Sequence, residues 1–297
     1  MLLYILISII LFLIFLSLLI RVILLDGEKI PNKILWESMP NEFNPSFANN
    51  VIAIRYSNWD RKNWDWLLKN RLKGKEYSDI ILYKNNIRKQ LNLNLQDPRI
   101  FYNKNNYYII AVKSVNYNQE IIPQLITLNS NLEIEKTTEF NIKEKPVKQK
   151  NWNLFTDKNS NILIITDVYP EMIIRKVDLH NAKLLDGIKY NTSNFFPYDK
   201  YYIRCSSNFI PWKNNQLICI LHLKKNITIR SIFFTIEDKY PYKPINYSKI
   251  YTFFNSYIEF VSGIGWKNNK IIVALGKDDY QGYIVEINPN DIEFIRS

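Results

Sequence analysis

Gln96–Val115 reads QDPRIFYNKNNYYIIAVKSV, and its reading decides the fold. A charged Asp97-Pro98-Arg99 triplet leads into a short apolar run, a polar turn follows at 103–106, and a longer apolar run completes the segment. Turn residues between two β-like runs are the signature of a hairpin. Proline lacks an N–H and fixes φ, so Pro98 marks a strand entry or edge.

The same layout occurs five times. The other copies are FNPSFANNVIAIRYSNW from Phe43, QKNWNLFTDKNSNILIITDV from Gln149, IRCSSNFIPWKNNQLICILHL from Ile203 and IEFVSGIGWKNNKIIVALGKD from Ile258. Anchored on Asn44, Asp97, Asn151, Arg204 and Glu259, the copies are separated by 53, 54, 53 and 55 residues. Further strand-like runs follow within a unit, such as IIPQLITLNSNLEI and RSIFFTIED. Three or four strands per unit of about this length is the size of a propeller blade. The expectation is an all-β, five-bladed β-propeller over residues 41–297. One segment disturbs the pattern. Arg61–Gln90 mixes helical and strand-like stretches, which an inserted helix or a poorly patterned outer strand would accommodate. Its Trp59, Trp64 and Trp66 neighbourhood reads as packing or docking surface rather than chemistry.

Leu2–Ile20, LLYILISIILFLIFLSLLI, is apolar and uncharged. About 20 such residues span a bilayer. No basic segment precedes the run and no small-x-small cleavage site follows it, which argues for an uncleaved anchor over a cleaved signal peptide. The expected organisation is a transmembrane signal anchor at 1–25, a linker at 26–40 and the propeller at 41–297, with membrane contact through residues 2–24. The protein is then single-pass. Arg21, Lys29 and Lys33 all follow the span, a weak argument for a cytoplasmic domain that leaves the side open.

Composition narrows the function. With 47% hydrophobic and 14% aromatic residues the chain can build a packed core. Two Cys and two His exclude a disulfide framework and multi-histidine metal chemistry, and no metal is expected. The net charge of +11 comes from scattered Lys rather than a basic run. That describes a solvated surface, so no nucleic-acid partner is expected. Cys205 and Cys219 sit on adjacent expected strands and would pair only in an oxidising compartment.

In a propeller the innermost strand of each blade lines the central channel. Asn44, Asp97, Asn151, Arg204 and Glu259, each at the start of an equivalent strand, would ring one mouth. Such a ring suits a polar, oxygen-rich ligand. The alternative is that these are ordinary turn and strand-entry residues.

Five motifs carry a family resemblance. They are Asn44-Pro45-Ser46 with Arg55, Gln96-Asp97-Pro98-Arg99, Gln149-Lys150-Asn151-Trp152 with Tyr169-Pro170, Arg204-Cys205-Ser206-Ser207 with His222, and Glu259-Phe260-Val261-Ser262-Gly263 with Gly276-Lys277-Asp278-Asp279. In this order they resemble the five-bladed propellers of glycoside hydrolase family 130, the inverting β-mannoside phosphorylases and hydrolases, and the related β-mannosyltransferases. There are departures. Gln96 stands where the family has Glu, Glu171 where a His often follows Tyr-Pro, and Cys205 where it has Gly. A late fourth-blade His is absent, with Arg230 nearby. Such His residues help to hold phosphate, which weakens the case for phosphorolysis.

The resemblance implies that Asp97 is the general acid, and that Asn44, Arg55, Arg99, Lys150, Asn151, Trp152, Arg204, His222, Glu259 and Asp279 bind substrate. A general acid must carry its proton near neutral pH, so Arg99 is expected to face the sugar or a phosphate rather than Asp97. Arg55, Lys150 and Arg204 suit an oxyanion, or else blade-to-blade ion pairs. Hydrolysis would need a second carboxylate at roughly 6.5–9.5 Å. Glu259 and Asp279 are the candidates, Asp279 fitting sugar hydroxyls better. Trp152 reads as a sugar platform or as blade packing, and His222 as a ligand or a core residue. No cofactor is implied beyond inorganic phosphate or a sugar-phosphate donor acting as substrate. The expected function is a membrane-anchored carbohydrate-active enzyme that transfers or cleaves β-linked mannosyl units with inversion. The alternative is a non-catalytic propeller that binds glycan or protein.

Overall fold

The structure, a computed structural model, describes residues 4, 6–15, 27–58, 77–115, 120–142, 150–198 and 201–296. Trp59, Trp64, Trp66 and the helical stretch expected after Arg61 lie outside the described residues.

The described chain is built from β-structure in a propeller-like fold. The first sheet holds β3 (Glu42–Ala48), β4 (Val51–Ser57), β5 (Ser78–Lys84) and β6 (Ile87–Gln90), following the N-terminal strands β1 (Glu28–Lys29) and β2 (Lys33–Glu37). The second holds β7 (Gln96–Asn103), β8 (Asn106–Val115), β9 (Glu120–Leu128) and β10 (Ile134–Glu139). The third runs β11 (Asn153–Thr156), β12 (Ile162–Asp167), β13 (Glu171–Asp178) and β14 (Lys183–Asn191). In the fourth, β15 (Tyr202–Cys205) and β16 (Ile210–Trp212) form a broken inner strand against β17 (Gln216–Lys225). Then come β18 (Thr228–Glu237), β19 (Pro244–Ser248) and β20 (Tyr251–Thr252). A fifth group, β21 (Glu259–Lys267), β22 (Lys270–Lys277) and β23 (Gln281–Ile287), takes β2 as its outer strand, and one parallel pairing of β23 with β3 joins it to the first group in an eight-stranded sheet. A last strand, β24 (Phe294–Arg296), pairs with β19.

Turn chemistry explains the hairpins. A two-residue turn with φ > 0 at both positions matches the twist of paired strands and ordinarily uses Gly. This chain has 7 Gly. Asn and Lys stand in at Asn49-Asn50, Lys104-Asn105, Asn214-Asn215 and Asn268-Asn269, all with φ between 42° and 67°. Three of these turns close the β3–β4, β7–β8 and β21–β22 hairpins, and Asn214-Asn215 end the three-residue connection from β16 to β17, so the Asn-rich composition has a conformational role.

The second strands read as continuous apolar runs because both faces are buried. Ile109 and Ala111 of β8 face the seam between the first and second sheets, while Ile110 faces the seam between the second and third. Leu217, Cys219, Leu221 and Leu223 of β17 pack toward the third sheet, and Ile218 and Ile220 toward the fifth. The core is thus a set of seams around an axis.

Near the axis a polar lock spans four of these seams. Ser46 Oγ donates to the Pro98 carbonyl at 3.0 Å, Ser262 Oγ to the Pro45 carbonyl at 2.7 Å and Ser206 Oγ to the Val261 carbonyl at 2.5 Å. Asn153 Nδ2 approaches Cys205 Sγ at 3.7 Å. The equivalent residue of the second sheet is Arg99, which makes no such bond to the third among the described residues. Cys205 and Cys219 are free, buried thiols.

Two expectations need correction. Among the described residues no helix is long and apolar enough to cross a membrane. This overturns the expected transmembrane helix, the single-pass localisation and the membrane contact. Residues 16–26 lie outside the described residues. Second, part of the 26–40 stretch read as a linker belongs to the wheel. Lys33–Glu37 is a sheet strand, β1 pairs with β20, and Ile30 is fully buried between the fourth and fifth sheets.

Candidate active site

The site forms where β3 and β7 begin. Asn44 and Asp97 are equivalent in the repeat, each precedes a proline, and each has a left-handed backbone, with φ 55° and 52°. Both lie at register shifts, between Phe43 and Ser46 and between Gln96 and Arg99. Among the described residues they are the only non-glycine positions inside β-strands with positive φ. A bulge re-aims the side chain that carries it. Here it turns the Asn44 amide and the Asp97 carboxylate toward one another.

Asp97 is buried, with 4% of its surface exposed. Its Oδ1 accepts from Asn44 Nδ2 at 3.1 Å and from Arg55 Nη1 at 3.2 Å. Its Oδ2 lies 3.3 Å from Lys150 Nζ. Burial pushes the Asp97 carboxyl up, but Lys150, Arg55, Arg99 and the Asn44 bond outweigh it and hold the group well below the usual carboxylate range. Arg55 is itself fixed, since Nε and Nη2 donate to Ser78 Oγ at 3.3 and 3.0 Å and the guanidinium lies 5.0 Å from the Phe43 ring.

Arg99 lies over the Phe260 ring at 5.3 Å, and its Nη1 donates to the Pro98 carbonyl at 3.1 Å. Its buried Nε and Nη2 have no hydrogen-bond partner among the described residues. Burial lowers its pKa to about 10, partly offset by Asp97 and Cys205, so it remains a cation at neutral pH. His222, paired in register with Arg204, packs on the same Phe260 ring at 4.9 Å, with Nδ1 3.3 Å from Ser206 Oγ. Burial, then Arg204, Arg99, Lys150 and Lys224, push the imidazole down to about 3. His222 is therefore neutral at physiological pH.

Lys150, Asn151 and Arg204 line a small cavity of about 10 Å³ with Thr166, Asp167, Val168 and Cys205, room for one water-sized species. The Arg204 guanidinium stacks on Tyr202 at 4.5 Å and donates to its hydroxyl. Among the described residues Asn44 Oδ1 and Asn151 Oδ1 are buried without a hydrogen-bond partner, as are the two Arg99 nitrogens. An unsatisfied buried polar atom costs about 1–3 kcal/mol, and native folds keep few of them. Four of these atoms belong to Asn44, Arg99 and Asn151, beside or near Asp97.

The sequence-derived residues thus divide. Asn44, Arg55, Asp97, Arg99 and Lys150 meet. Asn151, Arg204 and His222 adjoin them. Trp152 does not offer a sugar-stacking face: it is 2% exposed and packs edge-on against Phe140 at 5.3 Å, in the seam between the second and third sheets. Glu259 is engaged within the protein. It accepts from Thr252 Oγ1 at 2.7 Å and from the backbone N–H groups of Phe253, Phe254 and Ser256, so its charge organises the 252–256 loop. Asp279 sits in the β22–β23 turn with φ 49°, at the sheet end where β21 begins. Sequence reading missed four supports. Phe260 lies inside a quoted motif, and Ser206 beside Arg204 and Cys205. Tyr202 and Ser78 carry no sequence signal.

No family model and no curated protein sequence matches the chain. Solved structures do. A β-1,2-mannobiose phosphorylase from Listeria innocua aligns with a TM-score of 0.57 at 12% identity, over 87% of this chain and 93% of that one. A structure from the family 130 mannoside phosphorylases that contains glycoside hydrolases targeting β-1,2 mannosidic linkages in Candida mannan aligns at 0.59 and 13%, over 86% of both chains. The β-xylosidase RS223 aligns at 0.60 and 12%, over 90% and 98%. The chain has the fold of these enzymes. The structural neighbours therefore include the family that the five motifs resemble.

Proposed function

We propose that this protein is an inverting carbohydrate-active enzyme acting on β-linked mannosyl or similar glycosyl units, with Asp97 as proton donor. In this reading an oxyanion, either inorganic phosphate or the phosphate of a sugar-phosphate donor, sits against the cations around Asp97. The observation that carries the reading is the convergence of Asn44, Arg55 and Lys150 on one buried carboxylate, with Arg99 beside it. The activities of structural neighbours support the substrate class.

The charges explain how an ionised Asp97 can serve as an acid. Three cations hold it deprotonated. An oxyanion bound to Lys150, Arg99 or Arg55 compensates those cations and weakens their pull, so the Asp97 pKa rises when the anion arrives. The unpartnered donors of Arg99 suit such a guest. An oxyanion oxygen then attacks the anomeric carbon, the glycosidic C–O bond breaks on the opposite face, and Asp97 delivers its proton to the leaving oxygen. Configuration inverts. Glu259 is committed to its loop, which disfavours it as a water-activating base and leaves Asp279 as the other carboxylate candidate for that role.

The test is turnover of β-1,2-mannobiose and other β-mannosides by the full chain, with and without phosphate, against Asp97→Asn. Expected is phosphate-dependent turnover, lost by about 10²–10⁴-fold in the variant. Turnover independent of phosphate would overturn the oxyanion role. A second reading, a non-catalytic glycan binder, is favoured by the strong depression of the Asp97 pKa. Equal sugar binding by both proteins with no turnover by either would establish it.

A further inference from the structure

We propose that the β16–β17 connection and the β21–β22 hairpin, on the face away from Asp97, form a binding site for an acidic oligosaccharide. Both carry the same tetrapeptide, Trp212-Lys213-Asn214-Asn215 and Trp266-Lys267-Asn268-Asn269, 54 residues apart. The candidate active site uses neither. β21 starts at Glu259, the repeat equivalent of Asp97, and reaches Lys267 eight residues later, about 26 Å at 3.3 Å per residue. The tetrapeptides therefore stand at the opposite ends of the inner strands.

Their aromatic rings meet across the seam between the fourth and fifth sheets. Trp212 and Trp266 are stacked, with ring centroids 5.7 Å apart and 16° between the planes. Trp266 Nε1 donates to the Pro211 carbonyl at 2.8 Å, and Phe294 packs on Trp212 at 6.1 Å. The pair is held in place from three sides. Packing accounts for the half-buried Trp212, but it leaves 41% of Trp266 in water. A fixed, exposed indole is a ready surface for a flat apolar face.

The charge beside it is uncompensated. Lys267 and Lys270 oppose each other in register across the hairpin, and like charges placed directly opposite are unfavourable. Lys213 Nζ stands 5.3 Å over the Trp212 ring. Among the described residues none of these three lysines forms an ion pair. Asp238 is a neighbour in the fold, since its N–H donates to the Asn215 carbonyl at 2.9 Å, but its carboxylate accepts from Lys158 N at 2.9 Å on the third sheet. An anion at the hairpin end relieves the repulsion between Lys267 and Lys270.

The occupant must then join negative charge to a flat apolar face. A sugar acid does both: the C–H face of its pyranose ring covers Trp266, and its carboxylates meet the ammonium groups. A lone inorganic anion leaves the indole bare. A nucleic acid brings a flat base, but neither hairpin end carries an Arg, whose planar fork suits phosphate recognition. The lysines are scattered along the chain, and the wheel gathers them.

Calorimetric titration of the full chain with trigalacturonate, compared with its uncharged trimethyl ester, tests the proposal. Expected is saturable binding of the acid at least tenfold tighter than the ester. It should fall at least tenfold in Trp266→Ala and in the double variant Lys267→Gln with Lys270→Gln. The same charge change on the outer strand of the third sheet, Lys183→Gln with Lys189→Gln, should leave it unchanged. Each of the following would overturn the proposal: no saturable binding, equal binding of acid and ester, an equal loss in the two lysine double variants, wild-type affinity in the folded site variants, or tighter binding of a short oligothymidylate. The comparison of the two sugars and the oligothymidylate on the wild-type protein decides the matter even where Trp266→Ala does not fold.

Discussion

Asn44 and Asp97 hold the same place in adjacent repeats, 53 residues apart, and the amide of the first donates to the carboxylate of the second at 3.1 Å. Both backbones are left-handed at a bulge before proline. Paired bulges thus turn a repeat in the chain into a contact between sheets, and that contact aims the carboxylate.

Gly276 guards this contact. A Cβ at Gly276 would fall 2.3 Å from Asn44 Oδ1 and 2.8 Å from the Asn44 backbone nitrogen, and the backbone atom cannot move aside cheaply. Gly276→Ala is expected to cost about 1–3 kcal/mol in denaturant unfolding. It should also lower turnover more than a substitution of equal stability cost placed away from the axis. Unchanged stability and turnover would show that Asn44 is not held as described.

Asp97 should shape the acid limb of stability. Its folded pKa is depressed from an ordinary value of 3.8. In the window below that value the unfolded chain binds the extra proton, so stability rises with pH there. The contribution is complete above about pH 4 and is lost as pH falls. Urea midpoints for the wild type should decline below pH 4, and Asp97→Asn should lose that part of the decline. Parallel curves for the two proteins would remove the carboxylate from the ion cluster.

His222 should stay neutral through the physiological range. Its folded pKa of about 3 lies below the ordinary 6.5. Between those values the unfolded chain is the more protonated, so stability falls as pH drops through that window. With 2 His in the sequence, imidazole resonances are simple to assign by substitution. The His222 resonance should show no titration from pH 8 to pH 5. A midpoint near 6.5 would mean that the ring is not buried among the cations.

Ile30 tests whether the N-terminal segment is part of the wheel. It is fully buried among Ile218, Phe233, Tyr251 and Val273, and its N–H donates to the Thr252 carbonyl at 3.0 Å. Ile30→Ala should cost about 2–5 kcal/mol, measured by urea unfolding. A loss below 0.5 kcal/mol, roughly the scatter of surface substitutions, would place the segment outside the core.

Chain order alone determined the strand pattern, the hairpins and the five-fold recurrence, because a strand alternates with period two and a turn with positive φ selects Asn or Gly. The convergence of Asp97 and Asn44 was legible too, since equivalent positions of a repeat return to equivalent places; that Arg55 pairs with Asp97 was not. Tertiary structure decided the rest. Glu259 occupies a ring position in the repeat, yet its charge is taken by four donors of the 252–256 loop. Trp152 was drawn into the seam by Phe140. Phe260 holds Arg99 and His222 together, and β2 reaches across the whole chain to close the last sheet. Periodicity records where a residue stands along a strand. Which donors reach its side chain, and which rings cover it, depends on neighbours brought from other repeats, and only the closed wheel supplies them.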